Sequence, residues 1–179
     1  LIQDHDPLLP NYGQPMDYPN QMDINYSVDN NGDWLHANAI HYNPELDQIM
    51  LSLHRLGEIW IIDHNTTTTQ AAGPAGDLLY RWGNPQVYNR DADDSHRTFF
   101  GQHDARWIQN GQPGHGNIMV FNNGQNRPEG NYTTIDEFTP PLLSDGTYQI
   151  GVNGMYGPED VEIAYIADPP SSFYASFIS

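Results

Sequence analysis

Asp33-Trp34-Leu35-His36-Ala37-Asn38-Ala39-Ile40 sets a histidine at the head of an alternating, strand-like run. Gly101-Gln102-His103-Asp104-Ala105-Arg106-Trp107-Ile108 does the same further along the chain. Each run leads through a turn into a second, more apolar strand. Working outward from the first, Leu35 to Tyr42 alternates and Asn43-Pro44-Glu45 turns it. Gln48-Ile49-Met50-Leu51-Ser52-Leu53 follows and closes near Gly57. Glu58-Ile59-Trp60-Ile61-Ile62-Asp63 is the third run, closed by His64-Asn65 and the threonine tract Thr66–Thr69, which reads as a surface turn. Asp77-Leu78-Leu79-Tyr80-Arg81-Trp82 is the fourth, ended by Gly83-Asn84-Pro85. Four antiparallel strands joined by short turns match the size and pattern of one β-propeller blade.

The fold class expected is therefore all-β, a partial propeller of two to three four-stranded antiparallel blades. Residues 1–32, with Pro7, Pro10, Pro15 and Pro19, read as an irregular lead-in with a strand at 23–28 and a turn at Asp29–Gly32. Residues 33–85 form the first blade, and 86–102 an insertion rich in Asp and Arg. Residues 103–168 form the second blade, with strands at His103–Gln109, Asn117–Asn122, Tyr132–Phe138 and Val161–Ile166 and a Pro/Gly-rich excursion at 139–158. Residues 169–179 read as the start of a further blade, and no segment reads as a helix. Two blades leave long unpaired edges, so the rest of a propeller is expected from the same parent protein or from another chain. A small two-sheet sandwich is the other arrangement open to this pattern.

The 179 residues carry 23 acidic and 6 basic side chains, all six arginine, for a net charge of −17. That field repels nucleic acid and anionic membranes, so neither is expected as a partner. A carboxylate-rich, soluble extracellular surface accounts for the charge better than calcium binding, because no acidic loop has calcium-site spacing. Cysteine is absent, which excludes disulfides, thiolate metal sites and cysteine nucleophiles. No Gly-rich phosphate loop and no nucleophile elbow is present, and no cofactor is expected.

Asp33-Trp34-Leu35-His36-Ala37-Asn38, Ile49-Met50-Leu51-Ser52, Gln102-His103-Asp104-Ala105 and Val120-Phe121-Asn122-Asn123-Gly124, with Arg127 after it, occur in this order. The combination resembles the bacterial arylsulfotransferases (aryl-sulfate sulfotransferases) over most of residues 33–127. The resemblance implies a six-bladed propeller, periplasmic or extracellular. It implies transfer of a sulfuryl group from a phenolic sulfate to a phenol acceptor without a nucleotide donor. It further implies that His36, His103 and Arg127 surround the transferred group, with Asn38 and Arg55 as substrate-binding residues; Trp34, one of four strand tryptophans that suit blade packing, is by its ring a candidate to stack on a phenolic substrate. The family's nucleophilic histidine would lie in a later blade, outside this chain. His54-Arg55 stands where relatives carry an arginine, so that contact is shifted or lost.

Sulfuryl transfer needs several donors converging on one anion, which imidazoles and a guanidinium fork supply. Each residue also has a plainer reading. His36 and His103 suit strand-start histidines bonded to a turn, and Arg127 suits a turn arginine paired with Glu129 or Asp136. A zinc site from His36, His54 and His103 is conceivable, though the spacing does not fix its geometry. Against the enzyme stand a non-catalytic extracellular propeller module for binding or scaffolding, and a structural subunit assembling by edge-strand pairing.

Overall fold

The computed structural model describes residues 1–10, 12–26 and 32–177. It contains two four-stranded antiparallel sheets, each a simple meander. The first is β1 (Ala37–Asn43), β2 (Gln48–Leu53), β3 (Glu58–Asp63) and β4 (Tyr80–Trp82), in that order. The second is β5 (Gln102–Trp107), β6 (Ile118–Asn122), β7 (Thr134–Phe138) and β8 (Ile163–Ile166). β2 and β3 fall where the apolar runs place them, because a turn punctuates each end. In the first sheet Met50 pairs with Ile61 and Ser52 with Ile59.

One face of each sheet meets the other in the main core. Met50, Ile59, Ile61, Tyr80 and Trp82 from the first sheet pack with Ala105, Trp107, Ile118, Val120 and Phe138 from the second. Phe99, Tyr148 and Tyr156 close its margins, with Trp82 lying 4.0 Å from Phe138 by ring centroids. The opposite face of the first sheet carries a second cluster built on Leu53, Leu56, Trp60, Leu78, Val87 and Tyr88. Met22 and Tyr26 of the lead-in pack on that cluster. Beneath them Arg81 and Glu58 form a fully buried ion pair.

Three expectations are corrected. The threonine tract does not make a simple turn: Thr67 caps a one-turn helix, α1 (Thr68–Ala71). Thr67 and Gln70 form a reciprocal capping box, in which a hydroxyl and an amide satisfy each other's backbone N–H groups. The tail carries α2 (Ser171–Phe177) where a strand was expected; the dipeptide Pro169-Pro170 precedes it, in the position from which a helix is entered. In the lead-in, Asp23 makes a single parallel bridge to Ile2, and Ile24–Asn25 turns away from any strand. Ser27 and Val28 of the expected strand, and Asp29–Asn31 of the expected turn, lie outside the described residues. Among the described residues no helix is long and apolar enough to cross a membrane.

β1 and β5, the first strand of each meander, lie against one another. The Asn38 amide on β1 donates to the Gln102 carbonyl on β5 at 2.8 Å. The Gln102 amide in turn donates to the carbonyls of Leu53 and Glu58, both at 3.0 Å. At the far end, the Trp107 backbone N–H donates to His41 Nδ1 at 3.3 Å. These bonds hold the heads of β1 and β5 side by side.

Candidate functional site

Both strands are irregular where they begin. The β1–β2 register shifts between Ala37 and Ala39, and the β5–β6 register shifts between His103 and Arg106. His36 has φ 47° and Asp104 φ 54°, both left-handed. A bulge of this kind bends a strand and re-aims the side chains beside it. Here it does so at the same place in both sheets, next to the two histidines of the repeated motif.

His36 and His103 do not touch directly. His54, just past the end of β2, stands between them. Its ring lies 4.9 Å from that of His36 and 5.2 Å from that of His103, centroid to centroid. The hairpin accounts for this. His54 follows the last residue of β2, and its backbone N–H donates to the His36 carbonyl at 3.2 Å. The end of β2 is thereby brought back to the head of β1, and the neighbouring sheet adds His103.

The outer two imidazoles are tied at Nδ1. His36 Nδ1 is 2.5 Å from Asp33 Oδ2, and the Asp33 carboxyl is held below the usual carboxylate range by that bond and by Arg55. Arg55 reaches the same oxygen through Nε and Nη2, each at 3.3 Å. His103 Nδ1 sits 3.2 Å from the Gly101 carbonyl and 3.1 Å from the Asn123 amide. Asn123 itself is buried and donates to the Gly101 carbonyl at 2.8 Å. With Nδ1 engaged in both rings, Nε2 is left for a ligand.

His54 differs in charge. Burial, followed by the neighbouring His103 and His36, lowers its pKa to about 4. It is therefore neutral at pH 7, while its buried Nδ1 has no hydrogen-bond partner among the described residues. The consequence for stability has a definite sign. An unfolded chain protonates His54 near 6.5, whereas the folded chain does so only near 4. The unfolded state binds more protons between those values, so stability falls as pH is lowered through that window. Replacing His54 with glutamine is expected to flatten this part of the stability–pH curve, read by urea unfolding at pH 7, 5.5 and 4; parallel curves for the two proteins would contradict it.

The remaining expected residues lie around this column to different degrees. Asn38 serves the contact between β1 and β5, and its buried Oδ1 has no hydrogen-bond partner among the described residues. Arg55 is held by Asp33, beneath His36. The Trp34 indole donates to the Tyr26 carbonyl at 2.7 Å, which ties it to the lead-in. Arg127 sits on the loop after β6. Its Nη2 donates to Thr134 Oγ1 at 2.9 Å, and its guanidinium lies over Phe100 and Tyr132 at 5.5 and 4.6 Å. Among the described residues none of its contacts reaches the three histidines, although Phe100 stands one residue before Gly101. Gly124 lets the loop pass: φ is +76°, and a Cβ there would lie 1.8 Å from the Tyr132 carbonyl oxygen.

From the sequence His54 is named only as a conceivable zinc ligand beside His36 and His103 and as part of a shifted arginine contact, not as a member of the sulfuryl site. The signal was available, because an antiparallel hairpin sets the residue after its second strand beside the head of its first. Among the described residues no group of three His, Asp or Glu side chains is arranged to hold a metal ion. The site is thus a row of three imidazoles at the junction of two sheets, bordered through Asp33 by Arg55, in a strongly acidic protein.

No curated protein matches this chain. The sequence model of the arylsulfotransferase (ASST) family matches residues 6–141, a span that takes in β1 to β7 and all three histidines. The chain belongs to the arylsulfotransferase family.

Proposed function

We propose that His36, His54 and His103 form the sulfuryl-binding part of an arylsulfotransferase active site, with Arg127 at its edge. The observation that carries this reading is the unbroken row of the three rings, spaced 4.9 and 5.2 Å apart, across the heads of β1 and β5. Family membership implies an aryl sulfate as donor and a phenol as acceptor. In the reaction the S–O(aryl) bond breaks and the donor phenol leaves. The sulfuryl group passes to a histidine nitrogen outside this chain, forming an N–S bond. The acceptor phenol then takes the group through oxygen, breaking that N–S bond, and its proton balances the one that the departing donor oxygen takes up. The residues of this chain bind and orient the group. In their imidazolium forms His36 and His103 donate from Nε2 to its equatorial oxygens, Nδ1 of each being turned to the Asp33 carboxylate or the Gly101 carbonyl, and neutral His54 adds no further positive charge between them. Asn38, Arg55 and Trp34 support the surrounding shell.

The same reading includes a six-bladed propeller, in which further blades pack against the second sheet. Its support is the outer face of that sheet. His103 pairs with Phe121, Phe121 with Ile135, and Ile135 with Tyr165, so one row of apolar side chains runs outward from the histidine. Tyr165 is 56% exposed. A periplasmic or extracellular location completes the reading.

The test is transfer from p-nitrophenyl sulfate to a phenol acceptor by protein containing this chain together with its remaining blades. Release of p-nitrophenol that depends on acceptor, and that falls in His36→Ala and His103→Ala, is expected. Wild-type rates in both variants would reject the assignment. Correctly folded protein with no transfer at all would favour a non-catalytic binding module.

A further inference from the structure

The insertion (residues 86–100) and the Pro/Gly-rich excursion (139–158) interrupt the sheet pattern, and the histidine column uses neither. They meet at the far edge of the first sheet and enclose a cleft of about 230 Å³. Its walls include Trp82, Tyr88, Met155 and Tyr156, with His96 and Glu159 at its rim. The excursion is pinned there by two bonds from β4: the Trp82 indole to the Pro158 carbonyl at 2.8 Å, and the Tyr80 hydroxyl to the Gly157 carbonyl at 2.7 Å.

His96 is built into this position. The Asp91 carboxylate, only 2% exposed, takes the His96 backbone N–H at 2.7 Å and lies 3.1 Å from His96 Nδ1. Ser95 Oγ adds a bond to the same carboxylate at 3.2 Å. A buried carboxylate on Nδ1 fixes the tautomer and leaves Nε2 as the free nitrogen. The imidazole itself is 44% exposed and lines the cleft. Asp91, and more distantly Asp93 and Glu159, hold its pKa above the ordinary value.

We propose that this cleft binds an uncharged aromatic hydroxyl compound, with its ring against Trp82, Tyr88 and Tyr156 and its hydroxyl between His96 Nε2 and Glu159. A cavity of about 150 Å³ already accepts a benzene ring, so the volume suits one ring with a small substituent. A hydroxyl fits the rim because it can accept from an imidazolium or donate to a neutral imidazole, and can also donate to a carboxylate. An aryl anion would face Glu159, the carboxylate on the cleft lining, whereas an aryl ammonium would face the protonated imidazole of His96. The cleft is a second, peripheral site for phenols and does not depend on the assignment of the histidine column.

Phenol titrated into the full chain, followed through the histidine ring resonances, tests this. A saturable shift of the His96 signals is expected, and the affinity read by isothermal titration calorimetry is expected to fall about tenfold in His96→Gln through loss of one hydrogen bond. His103→Ala is expected to leave that affinity unchanged. Three results would overturn the proposal: no saturable shift of His96, phenol binding that survives His96→Gln but is lost in His103→Ala, or tighter binding of benzylamine or benzoate than of phenol. Correct folding of both variants is checked by their far-UV circular dichroism. Failure of sulfuryl transfer would leave these outcomes unaffected.

Discussion

Replacing Arg81 with alanine is expected to lower stability by about 3–5 kcal/mol, the cost of stranding a buried charge without its partner. Arg81 is 1% exposed and Glu58 is completely buried. The guanidinium grips the carboxylate in a two-pronged contact, Nη2 to Oε2 at 2.5 Å and Nε to Oε1 at 2.9 Å. The Trp60 indole donates to the same carboxylate at 2.7 Å, and Arg81 stacks on Tyr88 at 4.6 Å. Arg81 Nη1 also reaches the carbonyls of Pro19 and Gln21, so the pair fastens the lead-in to the first sheet. Burial drives the Glu58 pKa up, and Arg81 opposes that rise. Without Arg81, Glu58 must either take up a proton or hold an unpaired charge in the core. Urea unfolding followed by tryptophan fluorescence measures the loss, and a change below about 1 kcal/mol would show that the pair is not closed to water. Replacing both partners, Arg81→Met with Glu58→Leu, is expected to cost far less than Arg81→Ala alone, because apolar side chains of similar volume leave no charge behind.

The second large effect concerns transfer. His36→Ala and His103→Ala are each expected to lower the rate at saturating substrate by about 10²–10³-fold, the range found when one preorganised donor to a developing charge is removed. The reduction should appear in kcat more than in KM, since the bonds to the sulfuryl oxygens tighten as charge moves onto them. Asp33→Asn is expected to reproduce part of the His36 defect, because Asp33 fixes the Nδ1 side of that ring. Arg127→Ala should have the smaller effect of the set. Its guanidinium is spent on Thr134, Phe100 and Tyr132 and stands away from the row of rings. Equal losses for Arg127→Ala and His103→Ala would show that the loop after β6 moves onto the substrate.

What could be read from the chain and what could not follow a physical division. β2 and β3 were legible to the residue, because unbroken apolar runs between Asn43-Pro44, Gly57 and His64-Asn65 leave little freedom of register. β4 was read too long: Asp77–Leu79 carries the apolar pattern, yet Asp77 and Leu78 stay outside the ladder, and the Leu78 N–H donates to Asn20 across the lead-in. α1 was missed because four threonines have poor helix propensity, and the capping box of Thr67 and Gln70 outweighs it for a single turn. The histidines divide in the same way. His36 and His103 stood out because their motifs repeat, while the place of His54 between them is set only when the hairpin is folded and its end returns to its beginning. The bulges at His36 and Asp104 were invisible, since no glycine marks them. The Asp91–His96 pairing was hidden in a loop whose acidic residues looked interchangeable.

One titration bears most directly on the central claim that the three imidazoles form a single anion site. Inorganic sulfate added to the chain at pH 6, with histidine ring nitrogens observed by NMR, should shift His36 and His103 together with one dissociation constant. His54 should remain neutral throughout, as its pKa near 4 requires. Shifts of His36 and His103 that follow separate constants, or sulfate saturation that leaves both unchanged, would contradict the claim.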